Sequence, residues 1–160
     1  MAVFKKVLVT TDFSELSQAA LNYGRELARR YHAALHVLHV ADDMRWRYSD
    51  GMGVAMMVGV QADLEEYAKN YLSTVITNED RTELHAVTAV VTAPNPALAI
   101  IDYAAQEQVD LIVMGTHGRG PVTRMLMGSV AERVVRAAPC PVLTVRGRDV
   151  ADPAGSASDA

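Results

Sequence analysis

The run from Asp110 to Met114 is almost wholly apolar and stops at a glycine, with Gly115-Thr116-His117-Gly118-Arg119-Gly120-Pro121 following at once. A strand without polar alternation is buried on both faces, which is the signature of a central strand in a parallel sheet covered by helices. That single segment requires other strands beside it and helices above and below it, so the remaining sequence should alternate between the two.

It does. Val7 to Val9, preceded by Phe4, form a short β-rich run that ends at Thr10, Thr11 and Asp12. Ser14 is placed to cap a helix and Glu15 suits its first turn, with Leu16, Ala19, Ala20, Tyr23 and Leu27 recurring at three-and-four spacing down to Tyr31. Leu35 to Val40 reads as a second strand. The stretch from Ala41 to Val60 is rich in Met, Gly and charge and too long for a simple turn, so it is either a mobile lid or a partner surface. A second helix is expected over Gln61 to Thr77 with Leu64, Tyr67, Ala68, Tyr71 and Val75 inward, then a strand near Leu84 to Val91. Pro94 and Pro96 precede a helix carrying Leu98, Ile101, Tyr103 and Ala104. A last helix around Ser129 to Ala137 presents Val130, Val134 and Val135, and Val142 to Val145 follows Pro139 and Pro141 as a fifth strand.

Five strands and about four helices in alternation predict one α/β domain over residues 1–146, a doubly wound, mainly parallel sheet. Residues 147–160 hold little to bury and are expected as a flexible tail. A chain of 160 residues, half of them apolar, can bury one core without staples. Its net charge is −4 and its fifteen Lys and Arg are dispersed, which disfavours a nucleic-acid surface. The first residues lack the features of a signal peptide and no apolar run nears membrane-spanning length, so the cytoplasm is the expected compartment. Cys140, the single cysteine, cannot form an internal disulfide and suits a small buried position between two prolines.

Chemistry concentrates in the glycine segment because of where it lies. Glycines between a strand and a helix leave backbone N–H groups at the carboxyl edge of the sheet, where phosphate oxygens approach without a Cβ in the way. Gly128-Ser129 at a helix start adds a second anion site and a hydroxyl. The segment is neither a Walker loop nor the G-x-G-x-x-G of dinucleotide folds, and glycines there can equally serve only to shape a turn.

The spacing Gly115-x2-Gly118-x9-Gly128-Ser129 resembles the G-2x-G-9x-G-[S/T] signature of the ATP-binding class of universal stress proteins. The resemblance extends to Thr11-Asp12-Phe13-Ser14, to His39-Val40 and to Ala138-Pro139-Cys140-Pro141-Val142, and so covers the chain up to about Arg146. It implies strand order 3-2-1-4-5, with adenosine across the ends of strands one, two and four. It implies that Asp12, flanked by Thr10 and Thr11, bonds ribose or adenine and that the Val40 backbone reads the adenine edge. Met114 and Gly115 would line the adenosine site, with Gly118, Gly128, Ser129 and the adjoining Val130 at the phosphates. It also implies a homodimer through the last strand, and it leaves room for slow ATP hydrolysis with Mg or Mn on the phosphates. Thr10 departs from the Pro or Val common in relatives.

Other residues carry less. His36 and His39 lie three apart on a strand and so face opposite ways, which with His32 makes a poor metal set. His117 could touch a phosphate or shape the loop, and Arg119 and Arg124 could add charge to a triphosphate or simply be solvated. Asp42 and Asp43 could take a cation or be solvated, and Met52, Met56 and Met57 suit an adaptable contact surface. No residue set demands catalysis: Ser129 has no evident base beside it in sequence. The expected function is therefore a nucleotide-binding regulatory module read by an unknown protein partner, set against a true ATPase or a nucleotide-indifferent interaction protein.

Overall fold

The computed structural model describes residues 4–47, 53–117 and 127–147. Gly118 to Leu126, and the tail beyond Gly147, lie outside the described residues. The chain runs β1 (Lys6–Thr10), α1 (Glu15–Tyr31), β2 (Ala34–Asp42), α2 (Met44–Arg47), α3 (Val54–Val75), α4 (Asn78–Glu83), β3 (Val87–Ala93), α5 (Pro96–Gln106), β4 (Leu111–Gly115), α6 (Ser129–Ala137) and β5 (Val142–Val145). The strands form one five-stranded sheet in the order β3-β2-β1-β4-β5, and every pairing is parallel.

Burial on both faces follows from the alternation of side chains along each strand. Val7, Val9, Leu35, Val37, Leu111 and Val113 join Ala20, Leu21, Ala28 and Leu72 on one side, under α1 and α3. Leu8, Leu38, Ile112 and Met114 join Ala97, Ile100, Ala104, Ala131 and Val134 on the other, under α5 and α6. Each fully buried side chain of this kind contributes about 1.5–3 kcal/mol. The fit is closest where α1 crosses β1: a Cβ at Gly24 would collide with the Val9 side chain, so only glycine lets the helix lie there.

Several expected boundaries move. Two short helices, α2 and α4, raise the expected count of about four to six among the described residues. Both come from local capping: Asp43 Oδ1 accepts from the N–H groups of Arg45 (3.0 Å) and Trp46 (3.3 Å), and Thr77 and Asp80 form a capping box. The second strand runs to Asp42 and the long helix starts at Val54 rather than Gln61, so much of the supposed irregular stretch is regular. On α3 the inward positions are Gln61, Ala68 and Leu72, while Leu64 and Tyr67 are exposed, contrary to expectation. Leu98 and Val135 are exposed too, because Ala97 and Ile100 on α5 and Ala131 and Val134 on α6 take the buried face. The third strand starts at Val87, after Leu84 and Ala86 close the turn from α4.

Candidate functional site

The order β3-β2-β1-β4-β5 places the topological switch point, where successive connections change direction across the sheet, between β1 and β4, and open α/β sheets take their ligands beyond the carboxyl ends of the strands at such a point. Two joints border it, the β1–α1 turn and the β4–α6 connection.

The first joint is built from side chains. Ser14 caps α1, accepting from the Ser17 N–H at 3.2 Å. Asp12 Oδ1 accepts from the Ser14 N–H at 3.1 Å and from the Ser14 hydroxyl at 2.5 Å, an Asx-type turn that fixes the Asp12 carboxyl at the rim. The Thr11 hydroxyl meets Ser17 Oγ at 3.0 Å and accepts from the Phe13 N–H at 3.0 Å, while the Thr11 N–H donates to the Leu38 carbonyl at 2.9 Å. Thr11 is thus committed to shaping the turn, and it extends the β1–β2 pairing one step past Thr10, which is half-buried at the strand end.

The second joint is built from backbone. Gly128 is the N-cap residue of α6, with φ −61° and ψ 153° and no side-chain cap bond. Its N–H donates to the Thr116 carbonyl at 2.7 Å, and a Cβ there would stand 3.0 Å from that same oxygen. Thr116 in turn donates its N–H to the Val145 carbonyl at 2.9 Å. These bonds hold the start of α6 against the end of β4, so that Ser129 and Val130 occupy the first two helical positions beside that strand end, where N–H groups have no intrahelical acceptor. The helix end adds a partial positive charge. Gly115 has a packing role that sequence reasoning missed: a Cβ would sit 3.0 Å from Leu16 Cγ in the first turn of α1.

Met114 is buried among the α5 and α6 side chains and Val40 is half-buried against the same cluster, on the same face of the sheet. Val40 pairs with Val91 on β3. Thr10, Thr11, Asp12, Val40, Met114, Gly115, Gly128, Ser129 and Val130 therefore all lie at or next to the carboxyl ends of β1, β2 and β4 or the start of α6. Gly118, Arg119 and Arg124 fall outside the described residues. His117 Nδ1 lies 2.9 Å from Thr116 Oγ1, and its buried Nε2 has no partner among the described residues.

The remaining candidates separate. His36 faces Tyr103 on one side of the sheet, and His39 stacks on Phe13 on the other. No three His, Cys, Asp or Glu converge as metal ligands among the described residues. Asp43 is engaged by Arg45, whose hydrogen bond holds its carboxyl below the usual range, and Asp42 lies 3.6 Å from Arg47. Burial, with Asp110 nearby, pushes the half-buried Cys140 thiol up, away from a reactive thiolate. No helix among the described residues is long and apolar enough to cross a membrane.

Comparison with known proteins agrees with this architecture. The profile described as the universal stress protein family matches residues 4–146. Universal stress protein MJ0531 of Methanocaldococcus jannaschii is 31% identical over 153 residues, covering 90% of this chain and 83% of its own. The solved structure of universal stress protein UspA from Lactobacillus plantarum superimposes with a TM-score of 0.81 at 29% identity, over 91% of this chain and all of that one. A universal stress protein from Archaeoglobus fulgidus in complex with dAMP shares the fold at 22% identity and a TM-score of 0.60, covering 90% of this chain and 99% of its own. With the profile spanning nearly the whole described chain and the sheet order matching, the chain belongs to the universal stress protein family.

Proposed function

We propose that this chain is an ATP-binding regulatory module, with adenosine across the carboxyl ends of β1, β2 and β4 and the phosphates at the start of α6. The observation that carries the reading is the α6 N-terminus: a glycine cap with no side-chain bond, pinned to Thr116 at the end of β4, next to the β1–β4 switch point. A helix start left open in this way is an anion site. The Asp12 carboxyl suits ribose hydroxyls, and the apolar edge at Val40 and Met114 suits a purine. The full G-2x-G-9x-G-[S/T] spacing supports the same reading. The nucleotide complex of the Archaeoglobus fulgidus relative belongs to that protein and lends this chain the shared fold. A divalent cation, Mg or Mn, would be held chiefly by phosphate oxygens and water, since the described residues offer no carboxylate cage.

Occupancy would order the crevice and change what a protein partner meets. A homodimer through β5 belongs to the same reading: β5 is an edge strand, paired only with β4, and Leu143 on it is exposed. Sedimentation showing only monomer at micromolar concentration would remove the dimer.

The decisive experiment is a thermal shift on nucleotide-stripped protein, with and without ATP and magnesium. At a hundredfold excess over its Kd a specific ligand adds about 2.7 kcal/mol, which moves the midpoint by several degrees. The shift is expected to vanish in Asp12→Ala and in Gly118→Val. No shift in the parent protein would favour a nucleotide-indifferent interaction protein instead.

A further inference from the structure

Four non-glycine residues among those described have positive φ: Phe13 (67°), His32 (52°), His85 (46°) and Gln108 (53°). His32, His85 and Gln108 come at or just after the ends of α1, α4 and α5, where a left-handed residue is the ordinary way to stop a helix. Phe13 comes before a helix. A bulky side chain in the left-handed region is disfavoured, and such a conformation persists only where the surroundings over-determine it.

What surrounds Phe13 is a set of rings from two other elements. Its ring stacks on His39 of β2, with centroids 4.1 Å apart and planes at 17°. On α3, Tyr71 lies against it at 4.4 Å and 46°, and Tyr67 meets it edge-on at 6.3 Å. The turn is tied down beneath the ring as well. His39 Nδ1 lies 2.8 Å from the Thr11 carbonyl, and since a carbonyl only accepts, that nitrogen carries the proton. Phe13 and His39 are the chain neighbours of Asp12 and Val40, the two adenosine contacts from β1 and β2 in the reading above.

The path continues beyond the site. Gln61, buried on α3, accepts the Met44 N–H at 2.9 Å and so ties that helix to the start of α2. Trp46, the only tryptophan in the chain, lies two residues further on and is exposed. The Phe13–Tyr71 contact thus joins the turn to α3, and the Gln61 bond joins α3 to the short helix that carries Trp46.

We propose that Phe13 is a positioning residue for the nucleotide site and the joint through which its occupancy reaches α3. The proposal rests on the nucleotide reading of that site. The strained turn is the element with two states: a clamped form, in which Phe13 sits between His39 and Tyr71 and Asp12 is presented to ribose, and a relaxed form with negative φ and the ring withdrawn. Ribose bonded to Asp12 selects the clamped form, and the ring then holds α3 against the β1–α1 turn. Differential affinity for the two forms is what drives such a shift.

The test follows ATP binding by calorimetry and, in the same samples, the Trp46 emission. In the parent protein the emission is expected to change with the calorimetric midpoint. Tyr71→Leu keeps apolar volume but removes the ring on the α3 side of the clamp, so it should lose most of the emission change while still binding ATP, more weakly than the parent. Phe13→Ala keeps the backbone cost of the left-handed turn but removes the ring clamp, and should weaken ATP binding about fivefold, because the competent form is then a minor one. Phe13→Tyr should restore both properties. Amide exchange on the parent protein needs no variant, and protection over residues 64–75 should rise with ATP.

An absence of calorimetric binding would overturn the nucleotide reading and this proposal with it. Binding without change in Trp46 emission or in α3 protection would overturn the proposal alone, as would a full emission response in Tyr71→Leu.

Discussion

The two rims of the sheet are built on opposite principles. At the amino rim, polar groups are closed onto one another. Asp110 Oδ2 accepts from the N–H groups of Lys5 (2.8 Å) and Lys6 (2.9 Å), and Lys6 Nζ reaches the Glu107 carboxylate at 3.4 Å. Asp80 is fully buried, yet it accepts from Arg25 Nε at 3.0 Å, from the second Arg25 nitrogen at 2.9 Å and from the Thr77 N–H at 3.0 Å. Its own carbonyl takes the Ala86 N–H, and the Leu84 carbonyl takes that of Leu35, which joins α4 to the start of β2. At the carboxyl rim the β1–α1 turn is bonded in the same closed way through Thr11, Asp12 and Ser14, but the start of α6 has no side-chain cap, and His117 Nε2 has no partner among the described residues. A rim whose hydrogen bonds are complete contributes stability. One whose donors are left open is available to a ligand, and its stability gain comes only when the ligand arrives.

Separating the two properties by mutation is the direct challenge to this contrast. The largest effect should come from Asp80→Ala, which strands the Arg25 guanidinium, only 14% exposed, with no anion. Breaking a buried pair from one side costs about 3–5 kcal/mol, read by urea denaturation, while calorimetry on the remaining folded protein should show unchanged ATP affinity. Acid should act at the same place. Burial alone would raise the Asp80 carboxyl, but hydrogen bonds from Arg25 and Thr77 outweigh it and hold it below the usual range. Its contribution is therefore present above the unfolded value of about 3.9 and is lost as pH falls through the lower folded value.

The converse is expected at Gly128. A valine there crowds the Thr116 carbonyl, since its Cβ would lie 3.0 Å away, and its branches shield the first N–H groups of α6. ATP affinity should fall about thirtyfold, or ~2 kcal/mol, with a smaller loss of stability than Asp80→Ala. An affinity within about twofold of the parent would mean that the α6 start is not the phosphate site.

The unequal legibility of the two rims in the sequence has a physical cause. The carboxyl rim is made of glycines, a serine cap and strand ends, features whose identity announces their role; Ser14 and Gly128 stand where spacing placed them. Strand order and the residues of the proposed nucleotide site came from family resemblance, since no local pattern encodes which strands become neighbours. The amino rim was invisible because its central residue, Asp80, is a type normally solvated, and it is buried only because Arg25 lies 55 positions away in the chain and beside it in space. The start of the long helix at Val54, seven residues before the expected Gln61, was hidden for related reasons. Gly53 provides no side-chain cap to mark its start, and its inward face includes Gln61 and Glu65, which bond Thr92 and disguise the apolar period. The left-handed turn at Phe13 left no trace, because phenylalanine is among the last residues expected there.

The smallest effect expected is also at the amino rim, and it has the opposite partner logic to Asp80. His36 lies third in β2, 6% exposed, with Nδ1 2.9 Å from the Tyr103 hydroxyl. Burial, helped by the positive charge of Lys6 and opposed by Glu107, lowers its pKa below the ordinary 6.5. The unfolded chain then takes up a proton at this residue before the folded chain does. Stability from His36 is complete above about pH 6.5 and declines as pH falls below it. The Tyr103 hydroxyl, whose own pKa burial raises, stays protonated throughout. Urea midpoints taken across this range should fall on the acid side in the parent protein and in Tyr103→Phe, and should lose most of that slope in His36→Gln. ATP affinity should not follow the same curve, because His36 faces α5 beneath the sheet and the proposed phosphate site begins at α6. Should affinity and stability fall together with the His36 titration, the two rims would be coupled through β2, and the division of labour between them would have to be abandoned.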